Sequence, residues 1–303
     1  MKLVASSVVR GSLPGESHGG VHLVDLDARE VVQALEWVAA GINFRSPGGD
    51  RGPRGIAVDG DVVYIAASEE LFAFTPDFRR IGSWRNSYLK DCQEITVWGR
   101  SLFLTSAGCD TILGFDLDRR AFNWAMQVAV QQYRFHGRSF DPLKDEGPLM
   151  LDRLHLNALH CTRGGMYLSG LGTGGMLLFN GREIRMAVEL PTGARNARPF
   201  RDGVLFNDTE SGLLRYAGRD GAEDRALSVP AWPGTEPQDR HLDDSARPGF
   251  ARGLAVLSDT LVAGGSSPST ISVYDLPAKK RLLSVMLTTD VRSAIHTLAV
   301  WPF

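Results

Sequence analysis

Short stretches in which apolar and polar residues alternate recur along the whole chain, and each closes on a turn-forming residue. Val21–Asp25 runs into Leu26 and Asp27, and the same figure returns at Leu113–Asp118 and at Ser272–Pro277. Looser copies lie at Phe72–Asp77, Leu177–Gly181 and Leu214–Gly218. Alternation with period two suits a half-buried strand, and the Asp, Asn, Gly or Pro that follows turns the chain into the next one. No long segment carries the 3.6-residue period of an amphipathic helix. The pattern predicts many short strands joined as hairpins.

A second series begins each group of strands: Arg54, Gln93, Asn157, Asn196, Arg252 and His296 each stand ahead of an apolar run such as Ile56–Val58 or Leu254–Val256. The spacing is about 39 residues, and two steps are lengthened by about 25 and about 17. Four short strands in about 40 residues make one blade of a β-propeller, and six copies are present. The chain opens with three strands (Leu3–Val9, Val21–Asp25, Val31–Trp37) and ends on a lone one, Ile295–Val300. Joined, they complete a blade and leave no free sheet edge at the seam. The prediction is an all-β fold: a single six-bladed β-propeller over residues 1–303, with four-stranded antiparallel blades, the first closed by the C-terminal strand. The two insertions, about 131–153 and 230–249, both connect one blade to the next, so they are expected on the same face.

This arrangement resembles six-bladed propellers of the NHL, SMP-30-like lactonase and strictosidine-synthase-like type. The segments Asp152–Ala158 and Pro248–Leu254 also look like a bacterial propeller family of unassigned activity. The resemblance implies architecture over the whole chain. It implies no single reaction, because one fold hosts many.

Composition narrows the classes. Of 303 residues, 43% are hydrophobic, and 33 Gly with 15 Pro supply turns rather than disorder. The net charge of −2 argues against general nucleic-acid binding. No run reaches the ~18 apolar residues of a membrane span, and the N-terminal run is too short for a signal peptide. Cys92, Cys109 and Cys161 are odd in number and match no zinc spacing. A cytoplasmic protein that engages neither membrane nor nucleic acid is expected.

The six polar heads, Arg54, Gln93, Asn157, Asn196, Arg252 and His296, predict a ring of side chains for an anionic small-molecule substrate. Arg54 and Arg252 would bind the anion, and Gln93, Asn157 and Asn196 would orient its polar groups. Arg51, Arg153, Arg195, Arg247 and Arg292 add charge beside them, and acids such as Glu16, Glu69, Glu70, Asp110, Asp208 and Glu210 could pair with these arginines. For proton transfer the candidates are His296, Glu94, His155 and His18, since imidazole titrates near neutrality and a carboxylate can be shifted there by burial. His155 is expected to share a strand face with Asn157. His160, an odd number of residues further, points the other way and reads as structural. Gly170–Gly175 spells G-x-G-x-x-G, but a strand follows where a nucleotide site needs a helix, so it reads as a hairpin loop. Cys92 and Cys161 read as buried hydrophobes and Cys109 as a loop thiol open to solvent. No cofactor is predicted. A lactonase-type divalent ion on Asn157, Asn196, Glu94 and Glu16 is the metal alternative.

The leading expectation is therefore an enzyme of non-redox acid–base type: lyase, isomerase, cyclase or hydrolase. The rival is a non-catalytic propeller that binds a ligand or a protein partner on the insertion-bearing face, with Tyr133, Phe135, Phe140, Trp232 and Phe250 as anchors.

Overall fold

The computed structural model describes residues 1–13, 15–38, 51–219, 224–232 and 247–303. Strands β1 (Lys2–Val9), β2 (Gly19–Asp25) and β3 (Glu30–Glu36) open the chain. Blade 2 holds β4 (Ile56–Asp59), β5 (Val62–Ala67), β6 (Glu70–Phe74) and β7 (Arg80–Arg85). Blade 3 holds β8 (Ile95–Trp98), β9 (Ser101–Ser106), β10 (Thr111–Asp116), β11 (Ala121–Gln131) and β12 (Arg134–Phe140). Blade 4 follows with β13 (Leu156–Thr162), β14 (Gly165–Gly170), β15 (Gly175–Phe179) and β16 (Ile184–Glu189). Blade 5 is β17 (Ala194–Phe200), β18 (Gly203–Asp208), β19 (Leu213–Gly218) and β20 (Asp224–Ser228). Blade 6 is β21 (Leu254–Val256), β22 (Leu261–Ser266), β23 (Thr270–Asp275) and β24 (Lys280–Met286), and β25 (Ser293–Val300) ends the chain.

Each blade is an antiparallel meander in chain order, and β25 pairs with β1 to complete blade 1 in the order β25-β1-β2-β3. The fold is a six-bladed β-propeller. Its leading strands, β25, β4, β8, β13, β17 and β21, are those the repeat predicts. Contacts divide the chain into two compact units, one of Met1–Arg54 with Phe200–Phe303 and the other of Gly55–Pro199.

Within each unit the alternation buries apolar side chains between neighbouring sheets. In Gly55–Pro199, Leu71, Leu102, Leu104 and Phe115 join blades 2 and 3, while Ile112, Leu156, Leu168 and Leu177 join blades 3 and 4. In the other unit Leu3, Val24, Ile271 and Ile295 fill the layer between blades 1 and 6. A buried Leu or Phe of this kind contributes about 2 kcal/mol.

Blade 3 departs from the four-strand expectation. Part of the first insertion, Arg134–Phe140, forms β12, which pairs with an elongated β11 from Gln131↔Arg134 to Ala125↔Phe140. The rest is tied down: Asn86 Nδ2 donates to the Pro142 carbonyl, and the Tyr88 hydroxyl donates to that of Lys144 while accepting from Gly147 N. Residues 141–147 thus lie against the Asn86–Tyr88 connection, on the side where blades are joined. Most of the second insertion falls on 233–246, outside the described residues.

The turns between second and third strands meet the connections that lead into the next blade. The clearest contact is Asp110, buried in the β9–β10 turn, whose carboxylate accepts from the backbone N–H groups of Arg153, Leu154 and His155 at 2.9, 2.9 and 3.1 Å. That single side chain fixes the approach to β13. Asp110→Ala would strand three donors and is expected to cost about 2–3 kcal/mol. Thermal unfolding followed by circular dichroism should show a Tm lower by about 5 °C.

Candidate functional site

All six predicted polar heads are buried: Arg54, Gln93, Asn157, Asn196, Arg252 and His296. A break in strand pairing explains how polar residues come to stand there. Between Ile295↔Ser7 and Thr297↔Ser6 the register of β25 skips His296, and between Leu156↔Gly170 and Ala158↔Ser169 that of β13 skips Asn157. In blade 3, Thr105 Oγ1 accepts from both Gln93 N and Glu94 N, so two residues face one. In blade 6, Arg252 N donates to the Gly265 carbonyl and Gly265 N to that of Gly253, again two against one. A bulge re-aims its side chain out of the sheet's alternation. Gly265 is required there, because a Cβ would lie 2.4 Å from the Arg252 carbonyl oxygen. Asn196 takes a left-handed backbone (φ 52°), a conformation asparagine tolerates.

In the unit Gly55–Pro199, three side chains of the leading strands come together. Arg198 Nη2 donates to His160 Nδ1 at 3.4 Å, Glu94 attracts the Arg198 guanidinium, and Glu94 Oε2 accepts from Leu159 N at 3.3 Å. Burial, reinforced by the Arg198 charge, depresses His160 to about 4. It is therefore neutral near pH 7, and with Nδ1 accepting, its proton sits on Nε2. Burial also pulls Arg198 down while Glu94 pulls it back up, and a guanidinium stays charged throughout. The cluster is a carboxylate, a neutral imidazole and a cation.

Sequence reasoning missed two of the three. Counted from the polar head, the third position of the leading strand is Ile56, Ile95, Leu159, Leu254 and Leu298 in five blades, and Arg198 in blade 5. The fourth is Ala57, Thr96, Pro199, Ala255 and Ala299, and His160 in blade 4. The second holds Gly55, Ala158, Ala197, Gly253 and Thr297, and Glu94 in blade 3. The signal was a charged or ionisable residue breaking a repeat of small and aliphatic ones.

Other expected residues lie elsewhere. His155 precedes β13 instead of lying on it, with left-handed backbone (φ 47°), because Asp110 holds its N–H; its Nδ1 is 3.0 Å from Asp152. It does not share a strand face with Asn157. His18, in the other unit, is buried with Nδ1 2.5 Å from Ser12 Oγ, and burial together with Arg51 lowers its pKa. Its carbonyl accepts from Val9 N, which ties the β1–β2 turn. His296, Arg54 and Arg252 belong to that same unit, where Ser6 Oγ accepts from Thr297 N and donates to the Arg54 carbonyl. Cys109 is buried, contrary to expectation, and burial raises its thiol; Cys161 is pushed up to about 11. Neither is primed as a nucleophile. Among the flanking arginines, Arg247 Nη2 donates to the Thr209 carbonyl and Arg292 pairs with Asp290, and the rim acids Glu70 and Glu69 pair with Arg85 and Lys90. Among the described residues no three His, Cys, Asp or Glu side chains gather as metal ligands. Nor does any helix there have the length and apolarity to cross a membrane.

Comparison with known proteins places the fold only. No model of a protein family matches the chain. No curated protein matches it either. Among solved structures, one of a nidogen/laminin complex is 12% identical with a TM-score of 0.61, over 99% of this chain and 98% of that one. A protein of unknown function from Bacteroides caccae is 11% identical with a TM-score of 0.62, over 100% and 99%. At such identity the likeness shows architecture, and neither structure names an NHL, lactonase or strictosidine-synthase-like family.

The depressed histidines make a pH prediction. His160 and His22, the latter also lowered to about 4 by burial, are neutral in the folded chain and protonate at about 6.5 once unfolded. The unfolded state therefore binds more protons between these values. Stability should be full above about 6.5 and fall as the pH drops towards 4. Urea unfolding across that window should show the fall, and His160→Gln should make it shallower.

Proposed function

We propose that this propeller binds an anionic small molecule and carries out non-redox acid–base chemistry on it, of the lyase, isomerase, cyclase or hydrolase kind. The observation that supports this is the Glu94–His160–Arg198 cluster. Arg198 offers charge-assisted hydrogen bonds to a carboxylate or phosphate. The neutral His160, proton on Nε2, has that N–H left to donate to a developing oxyanion. Glu94 is the base. Gln93, Asn157 and Asn196 stand at the heads of the same unit's strands and orient polar groups of the ligand. In the other unit the corresponding positions carry Arg54, Arg252 and His296, residues of the same ligand chemistry.

The protein-partner reading has less support. Phe135 and Phe140 pack against the cores of their blades, Phe140 lying edge-on to Tyr88 at 4.9 Å, and Phe250 is buried beneath Arg10 at 4.6 Å. Of the proposed anchors, Tyr133 is fully exposed.

A thermal-shift and calorimetric screen of small carboxylates and phosphate esters tests the proposal. An anion that binds the wild type should bind Arg198→Gln at least ~10-fold more weakly, about 1.4 kcal/mol. With a turned-over substrate, Glu94→Gln should leave Kd within about threefold and lower kcat by roughly 10²–10⁴. If no anion stabilises the chain, or Arg198→Gln binds equally well, the reading is wrong. If an anion binds but no turnover is found, the non-catalytic ligand-binding alternative takes its place.

A further inference from the structure

We propose that β12, the outermost strand of blade 3, is an open sheet edge that receives an acidic, extended segment of a partner protein as a further strand. The proposal goes beyond the anion reading and does not depend on it. β12 stands at the end of its sheet, in the order β12-β11-β10-β9-β8, and the four-stranded blades have no counterpart to it. Both of its ends are held. Phe135 packs on the layer between blades 3 and 4, and Phe140 on that between blades 2 and 3. An edge fixed in this way needs no ordering before another strand is laid along it.

The backbone groups of that edge are turned outward and reach water. Gln132 and Tyr133 both have left-handed backbone (φ 48° and 62°), the type I′ turn of a two-residue hairpin. Such a turn hydrogen-bonds Gln131 with Arg134, and bonded pairs alternate along β11 and β12 from there. The N–H and C=O of Phe135, Gly137 and Ser139 therefore point away from β11. Gly137 and Ser139 are exposed, and for the glycine that exposure is the backbone itself. Strand addition uses such groups: main-chain bonds supply the affinity, and side chains at alternate positions select the partner.

Charge makes the selection here. Arg134, His136 and Arg138 are exposed and share one face of β12, about 7 Å from one to the next. None of their side chains has an ion pair or hydrogen bond among the described residues. Opposite them on β11 stand Gln131, Ala129 and Gln127, so this stretch of the two strands presents no carboxylate on that face. The outermost strands of the other blades, β3, β7, β16, β20 and β24, carry no basic residues at alternate positions. A second copy of the chain is a poor occupant, because antiparallel pairing centred on His136 would set Arg134 against Arg138. A nucleic acid offers phosphates to the guanidiniums but no main chain that alternates donor and acceptor. An extended peptide with carboxylates at alternate positions answers both features, each carboxylate falling directly opposite a basic side chain.

Fluorescence polarisation with the whole chain and a labelled peptide of alternating Glu and Thr tests the proposal. Binding should saturate, and a peptide of the same composition with its Glu residues clustered at one end should bind at least ~5-fold more weakly. The double variant Arg134→Glu/Arg138→Glu should weaken the alternating Glu peptide at least ~10-fold and take a peptide of alternating Lys and Thr instead. Ser139→Pro removes only an outward N–H, which an edge strand tolerates, and should weaken the peptide while the fold is kept. In the ¹⁵N-labelled chain, hydrogen exchange of the Gly137 and Ser139 amides should slow on binding; if Ser139→Pro does not fold, those rates decide in its place. Absence of binding, equal affinity for the clustered peptide, equal affinity in the double variant, or unchanged amide exchange would overturn the proposal, and the basic row would then only guard the edge. Tighter binding of a single-stranded oligonucleotide of equal charge would overturn it in favour of a nucleic acid. Loss of anion binding in Arg198→Gln concerns the Glu94 cluster and leaves these outcomes unaffected.

Discussion

Strand pairing here yields at the heads of leading strands, and the candidate chemistry depends on that yielding. An antiparallel ladder sends successive side chains to opposite faces, and in blade 3, for example, both faces are packed against apolar neighbours. A polar head held in register would be driven into one of those layers. The extra residue at His296, at Asn157 and at Gln93–Glu94 lets the backbone complete its hydrogen bonds while one side chain leaves the alternation. The aliphatic run that follows then resumes its place in the core. Burial of the polar heads and regularity of the sheets are thus two results of one local irregularity.

The second constraint is how each blade is delivered to the next. Asp110 shows the cost and the solution: a buried carboxylate is tolerated because three backbone N–H groups converge on it, and those groups belong to the segment that must be placed. Neutral versions serve elsewhere in the chain. Ser106 Oγ accepts from Lys90 N and donates to the Tyr88 carbonyl, and Ser267 Oγ bonds the Val291 carbonyl. Turns and connections therefore form a hydrogen-bonded layer on the joining side of the blades. The leading strands start from fixed positions, which is the condition for holding catalytic groups to useful tolerance.

Much of the architecture was legible because it rests on repetition. Alternation with turn residues predicted strands close to those found, for example Leu3–Val9 for β1 and Ile295–Val300 within β25, and the incomplete first and last groups predicted the pairing of β25 with β1. What was not legible depended on one-off contacts. Residues 134–140 carry no repeat signal, and β12 exists because β11 runs on past its usual length and offers an edge. His155 was misplaced because a carboxylate 45 residues away captures its N–H and bends the chain before the strand begins. Cys109 was expected in solvent, but its turn is covered by the following connection: Asp152 N donates to the Gly108 carbonyl beside it.

The site itself shows where a repeat stops being informative about structure and begins to inform about function. A position that holds Ile or Leu in five blades is set by packing, and Arg198 there takes a charged group out of water for no gain in core energy. The same holds for His160 among small residues and for Glu94 where the other blades carry Gly, Ala or Thr. Each exception taken singly could be absorbed as tolerated variation. Their meeting within one unit is what sets them apart, because three separate costs fall on side chains that contact or attract one another. Local rules broken together, with mutual compensation, are what functional sites impose on an otherwise consistent fold. Similarity to the consensus therefore locates the blades, and departure from it marks the residues on which the proposed chemistry rests.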